Sequence, residues 1–350
     1  MSPKPNRILL IRLSSLGDVV LTSPAIRAVR QHFPQAYIAM LVGKQSADVV
    51  AENPHLNEII TYNRKSEKKN KGHESLTGEM RSLIDQLRQR EFHLTIDFQR
   101  KFRTSLLAYL SSAKCRVGYH QPLGILCTVR VADKVNKHAI DRNLDLLRAI
   151  GIYADDRTLE LFISDKEREY AEQFLNNEAI SKAHPKIGLF PGAGWEPRQW
   201  MPQRFAVVGD LAAEHLGAKV LIFGGPNEAD LVAEVAGCMK SNPVTIAGHL
   251  TIRQLAALIE KCDVFVTNDT GPMHISAAMK TPTIALFGPG NYKKFQPLGE
   301  AHTTIRHPLP CSPCKQFTNK CKDNICMKSI SVDEVWKAIK EKFNNMKRDA

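Results

Sequence analysis

Short apolar runs alternate along the chain with stretches whose apolar residues return every three or four positions. Arg7–Leu13 reads as a first strand. A helix follows it, with Ser23 as a capping candidate and Pro24 at its first position. Tyr37–Val42, Glu58–Tyr62, His93–Asp97 and Cys115–Tyr119 read as further strands. Leu76–Arg90, Thr104–Ser111 and Ala139–Ile150 carry helical spacing. A polar segment, Ser164–His184, holds a charged helix near Asp165–Asn177. After Pro185 the alternation starts again. Strands are expected at Lys186–Phe190, Lys219–Phe223, Val244–Ile246, Val264–Thr267 and Thr283–Phe287. Helices are expected at Gln203–Glu214, Glu228–Met239, Ile252–Lys261, Pro272–Met279 and Val332–Asn344.

Strands that are apolar throughout, alternating with helices, imply parallel sheets covered on both faces. Two such series imply an α/β chain of two Rossmann-like, doubly wound domains, 1–180 and 181–350, with the last helix a candidate to pack back on the first. Ligands of such sheets bind beyond the carboxyl ends of the strands. The residues just after the strands are therefore the ones to inspect.

Composition narrows the class. The chain has 350 residues, 43% hydrophobic and 24% charged, which suits a globular protein with a sizeable core. No run approaches the roughly 20 apolar residues of a membrane-spanning helix. Ile8–Ile11 is too short for a signal-peptide core, so the chain is expected to be cytoplasmic and unprocessed. A net charge of +12 favours polyanions: nucleic acid, anionic lipid or phosphorylated substrates. The absence of any nucleic-acid module or basic-aromatic pattern argues against the first.

Five strand ends carry candidate chemistry. Ser14-Ser15-Leu16-Gly17-Asp18 follows the first strand. With one glycine it is not a dinucleotide fingerprint. Asp18 would repel a pyrophosphate there. It could take a proton from an incoming hydroxyl, or simply cap the helix, and residue physics alone favours the cap. Pro191-Gly192-Ala193-Gly194 with Arg198-Gln199-Trp200 follows the first strand of the second half. A Gly-rich turn with a nearby arginine suits a diphosphate. Asn268-Asp269-Thr270-Gly271-Pro272-Met273-His274 opens a helix, where the amides of Thr270 and Gly271 offer an anion site. Asp269 is a cap or a holder of a sugar hydroxyl, and His274 a ligand contact or a buried structural histidine. Phe287-Gly288-Pro289-Gly290 and Phe223-Gly224-Gly225-Pro226-Asn227-Glu228 are turns that could line a nucleotide pocket.

Two basic groups stand out in the first half. One holds Arg64, Lys65, Lys68, Lys69 and Lys71; the other holds Arg100, Lys101 and Arg103. The cysteines Cys311, Cys314, Cys321 and Cys326 read C-x2-C-x6-C-x4-C. That spacing could hold a structural zinc, and four reduced thiols in a loop are the plainer alternative.

At these residues the sequence resembles the ADP-heptose:lipopolysaccharide heptosyltransferases of glycosyltransferase family 9, over nearly the whole chain. The anchors are Arg12-Leu13-Ser14-Ser15-Leu16-Gly17-Asp18-Val19-Val20, the Pro191–Gly194 turn with Arg198–Trp200, and Asn268–His274. Cys311-Ser312-Pro313-Cys314 resembles the heptosyltransferase II-like branch. The resemblance implies a GT-B fold, two Rossmann-like domains facing across a cleft. It implies that the first domain takes the acceptor, with Ser15, Arg64, Arg100 and Arg103 as contacts. It gives the second domain the ADP-sugar, with Gly192, Ala193, Gly194, Arg198, Asp269, Thr270, Gly271 and His274 as contacts. Asp18 matches the family's catalytic aspartate, which favours the base over the cap. The family usually has lysine where Arg198 stands, and the two are not interchangeable.

The implied reaction is inverting transfer of heptose from ADP-L-glycero-D-manno-heptose to the anionic, lipid-linked inner core of lipopolysaccharide. No cofactor is required for it. The enzyme would sit on the inner face of the inner membrane, held peripherally by anionic lipid. The alternatives are another nucleotide sugar in the same fold, or a sensor that binds ADP-sugar without turnover.

Overall fold

The computed structural model describes residues 5–63, 73–120, 126–134, 136–180, 185–248, 250–314, 321 and 323–349. The chain divides into two compact units, Met1–Phe162 and Ile163–Ala350.

The first unit contains β1 (Arg7–Arg12), α1 (Leu16–Val20), α2 (Ser23–His32), β2 (Tyr37–Gly43), β3 (Glu58–Tyr62) and α3 (His73–Gln89). It continues with β4 (Leu94–Asp97), α4 (Phe102–Leu110), β5 (Cys115–Tyr119), β6 (Val129–Val131) and α5 (Ala139–Arg148). Its strands form one sheet in the order β3-β2-β1-β4-β5-β6. All pairings are parallel, with Ile8 opposite both Ile38 and Leu94. Ile8, Leu9, Leu10 and Ile11 are fully buried, as a central strand covered on both faces must be. Burial of each such side chain is worth about 1.5–3 kcal/mol.

The second unit opens with α6 (Asp165–Asn177), followed by β7 (Lys186–Phe190), α7 (Pro202–Leu216), β8 (Lys219–Gly224), α8 (Ala229–Cys238) and β9 (Val244–Ala247). Then come α9 (Ile252–Glu260), β10 (Val264–Asn268), α10 (Gly271–Ala278), β11 (Thr283–Leu286), α11 (Tyr292–Phe295), β12 (Thr303–Ile305), α12 (Ile325–Lys328) and α13 (Val332–Asp349). The sheet order is β12-β11-β10-β7-β8-β9, again parallel throughout. In both units the chain builds outward from a central strand, returns to its other side, and builds outward again.

Three expectations change. The division falls at Phe162, not at 180. The boundary at 180 put α6 in the first domain, but its charges are used within the second unit. Glu167 pairs with Arg253 at 3.2 Å, Arg168 with Glu260 at 3.4 Å and Glu172 with Lys261 at 3.0 Å. The last helix belongs to the core of its own unit: Val335, Ala338, Ile339 and Phe343 form its buried stripe there. The helix after β1 is two helices, and Thr22, not Ser23, is the N-cap residue of the second. Ser23 instead accepts the Glu160 N–H at 2.9 Å.

Candidate functional site

In the first unit, chemistry gathers where β1 and β4 end side by side. Arg12 is the last residue of β1, and Asp18 lies in α1 directly beyond it. Their side chains form an ion pair at 2.6 Å, Nη2 to Oδ1. The other carboxylate oxygen of Asp18 accepts the Ser15 N–H at 3.1 Å and the Ser15 hydroxyl at 3.2 Å. Asp18 and Ser15 thus form the capping box of α1. The cap anticipated from the sequence is real, and the carboxylate remains open to solvent all the same: its side chain is 27% exposed, against 14% for Arg12. Arg12 also donates to the Phe98 carbonyl.

Beneath this pair lies Asp97, at the end of β4 and 1% exposed. It accepts the Gln99 N–H at 2.9 Å and the Ser105 hydroxyl at 3.1 Å. Burial pushes its carboxyl up to about 7, against the pull of those hydrogen bonds and of the Arg12 charge. The Gln99 side chain ties the turn to its neighbour, accepting Leu13 N–H at 2.7 Å and donating to Ser14 Oγ at 3.0 Å.

In the second unit the corresponding strands are β7 and β10. Asn268 closes β10 and is fully buried. It accepts the Trp200 N–H at 3.1 Å and donates to the Pro191 carbonyl at 2.7 Å, so it joins both ends of the 191–200 loop. Arg198 lies on a short 3-10 turn of that loop. Its Nη1 is 3.3 Å from both the carbonyl and Oδ2 of Asp269. Asp269 is only 5% exposed in its side chain, and Arg198 is 19% exposed. Burial raises the Asp269 carboxyl while Arg198 opposes the rise. Gly290 lies against Asp269, since a Cβ there would be 2.0 Å from Oδ2.

Most of the expected donor residues meet here. Thr270 is the N-cap residue of α10, and Gly271 opens the helix, whose first-turn amides have no partners within the helix. The Gly192 backbone is in close contact with Glu228: a Cβ on Gly192 would be 2.0 Å from Oε1. Glu228 also accepts the Gly225 N–H at 2.7 Å, which props one Gly-rich turn on the other. Ala193 accepts from Gln199 at 3.4 Å, and Gly194 is exposed with open space around it. Asp269 does not cap α10; it is buried against Arg198. His274 is buried too, its ring edge-on to Phe295 at 6.4 Å between centroids.

The acceptor candidates are more dispersed. Arg100 pairs with Asp133 at 2.8 Å, and Asp133 is also held by Arg142 at 2.5 Å. Arg103 donates to the Tyr62 hydroxyl at 3.2 Å. Arg64, with Lys65, Lys68, Lys69 and Lys71, lies outside the described residues.

Cys311, Cys314, Cys321 and Cys326 carry no disulfide and line one cavity of about 300 Å³, together with Trp195, Pro197 and Pro289. Burial and the neighbouring thiols raise the Cys314 and Cys326 thiols. Among the described residues, no three His, Cys, Asp or Glu side chains are arranged to hold a metal ion. The thiols as they stand do not form a tetrahedral site.

Reasoning from sequence missed Asp97 and Gln99 as parts of these constellations, and it met Arg12 and Glu228 only as members of longer motifs, with no role of their own. Arg12 and Asp97 left a faint mark: each is a charged residue closing an apolar strand.

The model for glycosyltransferase family 9 (heptosyltransferase) matches residues 80–324, more than half of the chain. The chain belongs to glycosyltransferase family 9. It is 27% identical to lipooligosaccharide heptosyltransferase 2 of Campylobacter jejuni (serotype O:6), over 93% of this chain and 96% of that protein. A family 9 glycosyltransferase from Veillonella parvula superposes with a TM-score of 0.84 at 26% identity, covering 97% of each chain. E. coli ADP-heptose lps heptosyltransferase II superposes at 0.79, with 22% identity over 98% of this chain and 100% of that one, which shows the shared GT-B fold. A family 9 chain is a glycosyltransferase. The matched residues contain the whole 191–200 loop and the start of α10, whereas Ser14–Asp18 precede them.

Proposed function

We propose that this glycosyltransferase moves heptose from ADP-heptose to the inner core of lipopolysaccharide, with Asp18 as general base. The observation that carries the reading is the pair of strand-end constellations: a solvent-reaching carboxylate in one unit and a solvent-reaching guanidinium beside a helix start in the other. The names of the relatives support heptose and ADP, and the +12 charge suits an anionic acceptor.

The acceptor hydroxyl attacks the anomeric carbon from the face opposite the diphosphate, and its proton passes to Asp18. The C–O bond to the new oxygen forms as the bond to the diphosphate breaks, so the anomeric centre inverts. Negative charge grows on the leaving ADP. Arg198 and the first-turn amides of α10 stabilise it. Ser15, Arg64, Arg100 and Arg103 hold the acceptor; Gly192, Ala193, Gly194, Thr270 and Gly271 hold the donor. Asp269 and His274 act from beneath, as supports of that surface.

The test is a transfer assay of the purified protein with a panel of ADP-, UDP- and GDP-sugars and an inner-core acceptor. Turnover with ADP-heptose alone supports the reading. Turnover with a UDP- or GDP-sugar instead transfers the fold to another substrate, and donor binding without turnover makes the protein a sensor.

No described helix is long and apolar enough to cross a membrane. The reading places the enzyme in the cytoplasm, held on the inner face of the inner membrane by its basic surface, each lysine or arginine near anionic lipid adding about 1 kcal/mol. Salt-sensitive co-flotation with anionic but not neutral vesicles checks it.

A structural zinc at the four cysteines is a second and separate proposal, favoured by their sharing one cavity. It requires the thiolates to close to about 2.3 Å from the metal. Zinc near one atom per purified chain supports it, and metal-free active protein removes it. No step of the transfer depends on it.

A further inference from the structure

We propose that Arg12 is the positioning residue of the catalytic base, fixing the Asp18 carboxylate in place and keeping it ionised. The inference rests on the reading of Asp18 as base and adds a residue that this reading does not require.

The geometry is specific. An aspartate side chain turns about two bonds, and a base must be held close to its reactive geometry to act. Here one oxygen of Asp18 meets Arg12 Nη2 at 2.6 Å. The other meets the Ser15 N–H and hydroxyl at 3.1 and 3.2 Å. Ser15 acts from the helix start and Arg12 from the strand end, so the two clamps approach from different elements. Arg12 is itself anchored, since the same guanidinium donates to the Phe98 carbonyl on the neighbouring strand's exit. It lies lower than the carboxylate, 14% against 27% exposed.

Charge gives Arg12 a second role. An opposite charge within about 4–6 Å favours the ionised carboxylate, commonly by 1–3 pH units. The groups facing this pair are Ser15 on α1's start, the Phe98 carbonyl and the buried Asp97 on the β4 side, and Tyr119 on β5, whose hydroxyl feels both Arg12 and Asp97. Asp97 titrates near neutrality, so Arg12 answers to a carboxylate on each side.

The test is single-turnover transfer from ADP-heptose to an inner-core acceptor across pH 5–9, with Arg12→Met, Arg12→Lys and Asp18→Asn measured together. Arg12→Met should lower the rate roughly 10- to 100-fold, a smaller loss than the 10²–10⁴ expected for removing the base itself. Acceptor KM should change little. The acidic limb of the profile should move up by about one unit or more as the base loses its cation. Arg12→Lys should leave the limb in place and still run about 10-fold slow, because one ammonium cannot hold Asp18 and the Phe98 carbonyl with the geometry of a planar fork. A merely structural arginine would not move the limb. If Arg12→Met does not fold, Arg12→Gln takes its place: slowed turnover with the acidic limb moved up supports the inference, and a parental rate or an unmoved limb overturns it. An inactive Asp18→Asn beside parental Arg12 variants sinks the positioning role and spares the base. An active Asp18→Asn sinks the base, and the inference with it.

Discussion

The two units use one device in two lengths. Each chain path runs outward from a central strand and then restarts on its other side, so β1 and β4 of the first unit correspond to β7 and β10 of the second. Between such strands lies the switch point where doubly wound sheets bind ligands. Both units place a buried aspartate at the end of the later strand or just past it, Asp97 or Asp269, near an arginine that ends the earlier strand or lies in the loop after it, Arg12 or Arg198. The second unit stops at the arginine and offers a cation to solvent. The first adds one more residue, Asp18, and offers a carboxylate. A single added layer inverts the sign of the surface. One unit is suited to take a proton, the other to receive an anion.

The largest effect should come from removing that added layer. Asp18→Asn keeps the capping-box shape and loses the base, and turnover should fall by about 10²–10⁴. Donor binding, which the other unit supplies, should be unchanged by calorimetry. Near-normal turnover would show that the outer carboxylate is only a helix cap, and the contrast between the units would lose its chemical meaning.

How much of this could be read beforehand depends on how local each signal is. Ten of the twelve strands among the described residues were legible, because continuous apolar runs in parallel sheets need no partner to be recognised. The two missed, Val129–Val131 and Thr303–Ile305, are three-residue edge strands defined by their neighbours' hydrogen bonds. Asp18, Arg198 and the 268–274 turn were legible because they directly follow strands. Arg12 and Asp97 were not, because each was counted as part of a strand, and their relation exists only once β1 and β4 pair. The charged face of α6 misled in the opposite direction. Its partners Arg253, Glu260 and Lys261 lie some 90 residues on.

Asp97 gives the next largest effect, and it is one of stability. Its folded pKa, pushed up to about 7 by burial, exceeds the ordinary aspartate value of 3.8. The folded chain therefore binds more protons than the unfolded chain between those values. Its contribution is fully present below pH 4 and is lost as pH rises through 7, by an amount on the order of 4 kcal/mol. Asp97→Asn removes the titration while keeping a carbonyl oxygen for the Gln99 amide. The variant should gain on the parent from pH 5 to about pH 7 in urea melts, and the gain should level off by pH 8. Parallel curves would mean that Asp97 is already ionised in the fold, braced by Arg12 far more strongly than burial allows.

Arg198→Ala tests the cation of the second unit. A charge-assisted hydrogen bond is worth about 1.5–3 kcal/mol, so ADP-heptose should bind roughly 10- to 150-fold more weakly. Arg198→Lys should recover part of this, since the charge stays and the fork does not. Equal donor titrations for parent and Arg198→Ala would place the diphosphate elsewhere and leave the second unit's exposed arginine without a role.

The smallest effect carries the finest test, because it asks whether the buried aspartate of the second unit works through its arginine. Asp269→Asn keeps the volume under Gly290 and an oxygen that can accept from Arg198, and gives up only the charge. The loss in donor affinity should be about 1 kcal/mol, or roughly fivefold. Replacing Arg198 by alanine should then cost less in the Asp269→Asn background than in the parent, since contacting residues that act as one do not add. Strict additivity would mean that Asp269 and Arg198 meet the donor independently. The buried carboxylate would then be a ligand in its own right, and the likeness between the two switch points would end at their topology.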